Sequence, residues 1–276
     1  MTPDATNYSD LASDATDEIR RRAGIPGVDI AVILGSGWAS GVDQLGERIA
    51  ALPLDELTGF SRPVVAGHGG EAILTNVAGR TVLAYTGRTH FYEGRGAHAV
   101  AHGVRTAAEL GAKVLIVTNG CGGLDTSWNP GQVVVLRDHI NLTGTTPLHG
   151  PMFIDMSTAY DPQLRQLIHE IEPALPEGVY AQFAGPAYET VAEVRMAGIM
   201  GATLVGMSTT LEVIAARACG LRVLGLSLVT NLAAGVTETK LDHAEVIAAG
   251  RKAGPRLAAL LATTLERIAV TVNFDD

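Results

Sequence analysis

The chain has 276 residues, enough for one large α/β domain or two small ones with a sizeable core. Apolar residues make up 47% and charged residues only 18%, with 32 glycines, a compact composition rich in tight turns. A net charge of −9 excludes the basic face that nucleic-acid binding requires, so any bound anion must be held by a local site acting against the overall field.

In chain order, residues 9–23 read as a leading helix, peripheral to the rest, and DIAVILGSG as a strand running into a glycine turn. EAILTNV and RTVLAYT, separated by Ala-Gly, form a hairpin pattern. AHAVAHGVRTAAEL reads as one helix, KVLIVTN as a buried strand ending in the turn GCGG, QVVVLRD as a strand and DPQLRQLIHEI as a helix. GVYAQFAGP, ATLVGMS and LRVLGLSLVTN complete the strands, with helices between them. A long last helix starts near residue 243, kinked or split by Pro255. Continuous apolar strands alternating with helices indicate an α/β fold with a mixed sheet covered on both sides. No repeat or low-complexity linker divides the chain, so residues 1–276 read as a single domain. The acidic N-terminal segment lacks an apolar run, no stretch approaches a bilayer span, and Cys121 and Cys219 form no metal-type motif. A cytoplasmic, reducing location is the expectation.

Ligands of such sheets bind beyond the carboxyl ends of strands. Four of those ends stop in small or polar residues: GSG at 35, GRTH at 87, TNGCGG at 118 and GMSTT at 206. GRTHFYEGR puts Arg88 and His90 behind an apolar run, which fits either an anion grip or a solvated ion pair. Thr209 and Glu212 have capping-box spacing, so Ser208 stands just ahead of a helix N-terminus either as an uncommitted hydroxyl for phosphate or as the cap itself. Thr190 and Glu193 repeat the box and leave Glu189 outside it, either as a ligand-facing carboxylate or as a charge favouring the helix start. Asp242 and Glu245 cap the last helix, with His243 in its first turn. Other chemistries fail on spacing: GSGWASG is not GxGxxG, no GxSxG or GxxxxGK[ST] occurs, and His98 and His102 lack the HExxH glutamate and a third ligand.

Taken in order, GSG at 35, GHGG at 67, GRTHFYEG at 87, TNGCGGL at 118, RDHINLTG at 137, GPAYETVAE at 185, VGMST at 205, LVTN at 228 and HAEV at 243 resemble the purine nucleoside phosphorylases of the homotrimeric type, from about residue 29 to 252. The resemblance implies a distorted-barrel sheet flanked by helices and a pentosyltransferase of purine salvage. Such an enzyme joins phosphate to C1′ of inosine, guanosine or their deoxy forms, with no cofactor beyond phosphate as co-substrate. It implies that Ser36, His68, Arg88, His90, Gly120 and Ser208 hold phosphate, and that Tyr92, Met207, His243 and a neighbouring subunit's Phe153 line the ribose. Tyr188, Glu189, Val205, Thr230 and Asn231 would hold the base, with Asn231, Glu189 and His90 nearest the chemistry, and no metal. Partners implied are purine nucleosides, phosphate and two further copies of the chain, not nucleic acid or membrane. The chain departs from the family's usual residues at Gly120-Cys121, Thr210-Leu211 and Tyr188.

Overall fold

Strand β1 (Ile30–Ile33) is apolar throughout because both of its faces are covered. Ile30 and Val32 pack into one hydrophobic cluster and Ala31 and Ile33 into another, the alternation that a pleated strand imposes. The computed structural model describes residues 5–61, 70–237 and 243–274. Nine strands among them form one sheet: β1, β2 (Glu47–Pro53), β3 (Glu71–Val77), β4 (Arg80–Tyr85), β5 (Val114–Gly123), β6 (Val133–Asn141), β7 (Glu177–Gln182), β8 (Leu204–Gly206) and β9 (Arg222–Leu232). Their order is β2-β3-β4-β1-β5-β8-β7-β6-β9, and β9 returns to pair with β5. The strands β5, β8, β7, β6 and β9 thus close on themselves, while β1, β4, β3 and β2 extend from β5 as an arm. Parallel pairs (β1 with β4 and β5, β5 with β9, β6 with β7, β7 with β8) mix with antiparallel ones, giving the mixed α/β single-domain architecture expected.

The hairpin β3–β4 turns at Ala78 and Gly79, both at positive φ, as a two-residue loop demands. Helix α1 (Ala5–Ala23) starts four residues earlier than the sequence indicates and buries Ala12, Ala15 and Ile19 completely. The next expected helix is divided at the buried Ala101 into α2 (Gly96–Val100) and α3 (His102–Glu109). Helices α4 (Pro162–Ile171), α5 (Val191–Ile199) and α6 (Thr210–Ala218) follow, and α7 (His243–Thr271) runs through Pro255 as one helix. Its buried Leu257, Leu261, Leu265 and Ile268 recur at helical spacing and join the cluster beneath β1, β4 and β9. That long apolar stripe outweighs the one intrahelical bond that proline cannot make.

One other sequence expectation is corrected, and one strand goes unread in the sequence. GCGG is not a turn: β5 continues through it to Gly123, paired with β9 across a bulge between Cys121 and Gly122. Strand β2 escapes a periodicity reading because its residues are mostly exposed; pairing with β3 makes it a strand. Among the described residues no helix is long and apolar enough to cross a membrane.

Candidate active site

The carboxyl ends of β1, β4, β5, β8 and β9 open into a cavity of about 390 Å³. Its wall includes Ser36, Arg88, His90, Tyr92, Gly120, Tyr188, Glu189, Val205, Met207, Ser208, Thr230 and Asn231. These come from segments nearly 200 residues apart, and all belong to the expected set. Three further expected residues complete the set. His68 lies outside the described residues, as does the side chain of His243 at the start of α7. Phe153 is 93% exposed and lies outside this cavity's lining in its own chain. Of the capping pair expected there, Asp242 and the Glu245 side chain also lie outside the described residues.

Local chemistry explains the placement. After β1 the chain turns at Gly35, whose N–H donates to Thr118 Oγ1 at 2.9 Å, while that hydroxyl donates to Ile33 O at 2.9 Å. Gly37 (φ +86°) lies so close to Gly250 of α7 that a Cβ on Gly37 would come within 2.9 Å of the Gly250 Cα. Only glycine meets both demands, and Ser36 is presented between them. On β5, a Cβ at Gly120 would press on Thr230 and Ser36 at 3.1 and 3.2 Å, so the bare backbone there keeps the cavity open.

One end of the cavity is built for an anion. Arg88 is nine-tenths buried; its Nε donates to Glu212 Oε1 at 3.0 Å, and its Nη1 lies 2.7 Å from Thr118 O and 3.2 Å from Ser208 Oγ. The Arg88 Nη2 is buried with no hydrogen-bond partner among the described residues. Burying donors without an acceptor is costly, and a phosphate oxygen would satisfy them. The hydroxyl of Ser208, read either as uncommitted or as the helix cap, is engaged by Arg88 and lies 3.2 Å from Thr209 Oγ1. His90 stacks on Tyr92 with ring centroids 4.8 Å apart, and its backbone N–H donates to Glu93 Oε1 at 2.7 Å. Burial, with Glu93 beside it, pushes the Tyr92 phenol up to about 12, so it stays a protonated donor.

Other residues of the wall suit a heterocycle. Glu189 is 8% exposed, and its Oε1 is buried with no partner among the described residues. Burial, with Glu193 nearby, raises its pKa above the usual carboxylate value even though its own backbone N–H works the other way. The expected box holds: Thr190 N–H donates to Glu193 Oε2 at 2.7 Å and Glu193 N–H to Thr190 Oγ1 at 3.2 Å, so the start of α5 does not need Glu189. Asn231 is fixed by Nδ2 donation to Leu232 O at 3.0 Å and by Thr230 Oγ1, 2.9 Å from its Oδ1. Val205 is buried in the wall and Tyr188 half-exposed at the rim.

Two groups at the site are absent from the residue set that the motifs supply. Asn119, beside the expected Gly120, lines the cavity while buried. Glu212, read only as a capping residue, is also the carboxylate that holds Arg88. The TNGCGG segment flagged Asn119; no sequence signal linked positions 88 and 212. His98 and His102 fall on separate helices. His98 stacks on His149 at 3.8 Å, and His102 Nε2 lies 2.9 Å from Thr58 O. Among the described residues no group of three or more His, Cys, Asp or Glu is placed to hold a metal.

A strand-end cavity in a partly closed mixed sheet, pairing an anion end with a carboxylate–amide wall, defines a class. The family model described as the phosphorylase superfamily matches residues 29–266. A purine nucleoside phosphorylase from a Cellulomonas species is 57% identical over 95% of both chains. Two solved purine nucleoside phosphorylases are similar at 34% identity. One, from Schistosoma with hypoxanthine, has a TM-score of 0.85 and covers 96% of this chain and 98% of its own. The other, from Schistosoma mansoni with adenosine, has a TM-score of 0.83 with the same coverage. The chain belongs to the phosphorylase superfamily and, within it, to the purine nucleoside phosphorylases.

Proposed function

We propose that this chain phosphorolyses 6-oxopurine nucleosides, inosine and guanosine with their deoxy forms, to free base and (deoxy)ribose 1-phosphate. The observation that carries this reading is one cavity whose wall holds two unmet demands of opposite kind: the buried Arg88 Nη2 donors and the buried Glu189 Oε1 acceptor. A phosphate answers the first, and the N1–H of a 6-oxopurine the second. Adenine offers a bare N1 acceptor to Glu189, leaving two acceptors opposed at a cost of about 1–3 kcal/mol.

In this reading Ser36, Arg88, His90, Ser208 and the Gly120 N–H hold phosphate below C1′, with His68 beside them. Tyr92, Met207 and His243 line the ribose, and Tyr188, Val205 and Thr230 flank the base. A phosphate oxygen forms a bond to C1′ as the C1′–N9 bond breaks and its electron pair passes to the purine. The phosphate dianion stabilises the positive charge developing on the ribosyl ring. Asn231, donating to N7 or O6, stabilises the negative charge on the leaving base. Both interactions strengthen as the charges grow, which lowers the barrier, and holding the nucleophile in place adds a large proximity effect. Phosphate is a co-substrate, and the reading calls for no cofactor.

The reading extends to a homotrimer in which a neighbour's Phe153 closes the sugar site. Its support is the exposure of apolar Phe153 with the adjacent Met152, and of Met196 and Ile199 on α5. Free Cys121 and Cys219 support a reducing, cytoplasmic setting. The deciding assay is incubation with inosine with and without phosphate. Phosphate-dependent hypoxanthine release is expected. Release that ignores phosphate points to a hydrolase, and no release to a nucleoside-binding protein. Mass measurement in solution tests the trimer.

A further inference from the structure

Thr209 is a β-branched residue at φ +80°, ψ −56°, fully buried at the head of α6. With Thr210 N–H donating to Ser208 O at 2.9 Å, residues 208–210 form a γ-turn of the positive-φ kind, near its ideal of about +75° and −65°. Such a conformation is strained for threonine and persists only where the surroundings over-determine it. Here they do. Asn119 Nδ2 donates to Thr209 Oγ1 at 2.9 Å, and Thr209 N–H donates to Glu212 Oε2 at 3.1 Å. The other Glu212 oxygen accepts from Arg88 Nε at 3.0 Å, and that carboxylate is 1% exposed. Arg88 Nη1 reaches Ser208 Oγ, which lies 3.2 Å from Thr209 Oγ1. Four residues from the β4 loop, the β8–α6 turn and α6 are thereby closed into a ring.

The ring's donors can be aligned in one direction. The Asn119 amide occupies an acceptor site on the Thr209 hydroxyl, so the hydroxyl proton is available to the neighbouring Ser208 oxygen. With Thr209 as the donor of their 3.2 Å contact, Ser208 accepts from both Arg88 and Thr209, and its own proton is left for the open cavity. Aligned donors of this kind polarise one another. Resting on the proposed phosphorolysis, we infer that Thr209 is a positioning residue of the anion site: held in a strained γ-turn by Asn119 and Glu212, it orders the Ser208 hydroxyl so that its proton faces a phosphate oxygen.

The test uses Thr209→Gly, Thr209→Val and Thr209→Ser in the full chain, with phosphate and inosine KM measured separately. Glycine adopts the positive φ freely, valine keeps the shape without the hydroxyl, and serine keeps the hydroxyl. For glycine and valine, the KM for phosphate should rise about tenfold or more, the scale of a lost charge-assisted hydrogen bond, with the KM for inosine little changed. The serine variant should restore phosphate KM to within about threefold of the parent, since it keeps that bond. An unaltered phosphate KM in either hydroxyl-less variant overturns the inference, as does equal loss for both substrates, a serine variant as impaired as glycine, or failure of both hydroxyl-less variants to fold. If the parent chain shows no phosphate dependence, the proposed function itself has failed, which is a separate outcome.

Discussion

Replacing Glu189 by glutamine keeps the shape of the base wall and removes its charge. In the parent, a carboxylate with one buried, unpartnered oxygen meets the N1–H of the base. A hydrogen bond to a charged acceptor contributes about 1.5–3 kcal/mol and a neutral one about 0.5–1.5, so weakening the bond loses about 1–2 kcal/mol. In the complex glutamine also turns an amide donor toward the base, and leaving that donor unmet once water is excluded costs a further 1–3 kcal/mol or so. Together these give about 2–5 kcal/mol, or about 30- to 5000-fold in kcat/KM for inosine. The pH profile separates this effect from a packing defect. Because burial raises the Glu189 pKa, the active carboxylate is lost as pH falls through a value above 4.5, so the acid limb of kcat/KM in the parent lies higher than an ordinary glutamate would place it. That limb should disappear in Glu189→Gln. Stability should move the other way. A carboxyl whose folded pKa is raised destabilises the fold once pH exceeds that value, so the glutamine variant should melt at a higher temperature near neutrality. Steady-state kinetics from pH 5 to 8 and calorimetry decide it: a variant within about threefold of the parent at every pH removes Glu189 from the base site, since even the weakest loss above exceeds that.

Asn231→Asp should shift preference toward 6-aminopurine nucleosides, measured as the inosine-to-adenosine ratio of kcat/KM; an unchanged ratio refutes the assigned base contact. Asp161 caps α4 through Gln163 and Leu164 N–H and pairs with Arg222 at 2.7 and 3.0 Å. Asp161→Ala should therefore lose about 2–3 kcal/mol in a denaturant titration. Burial alone would raise the Asp161 pKa, but the Arg222 bond and the helix-start amides bring it below the usual value. The stability it contributes is thus present above the unfolded pKa and is lost as pH falls through the lower folded one, so Asp161→Asn should flatten the acid side of the stability curve. Ile19→Ala, which empties a fully buried position on α1, should cost about 2–4 kcal/mol; a loss below 1 kcal/mol or so would show that α1 is not anchored there.

Much of this protein is set locally and so is legible in its chain. The apolar runs of β1, β5 and β9, the Ala-Gly hairpin and the capping boxes at Thr190 and Thr209 each depend on neighbours a few residues away. Motif residues such as Arg88, Glu189, Ser208 and Asn231 are marked by their own segments, and all four line one cavity. Other features need partners from far along the chain. Strand β2 has no apolar alternation and exists through pairing with β3, and GCGG is extended because β9 lies alongside. The second role of Glu212 requires Arg88, which lies 124 positions away. Short-range hydrogen bonds and side-chain periodicity are written in consecutive residues, whereas closing the β5–β9 barrel and burying a guanidinium against one carboxylate are acts of long-range packing. Those acts, and the strain they impose on Thr209, were decided only by the assembled fold.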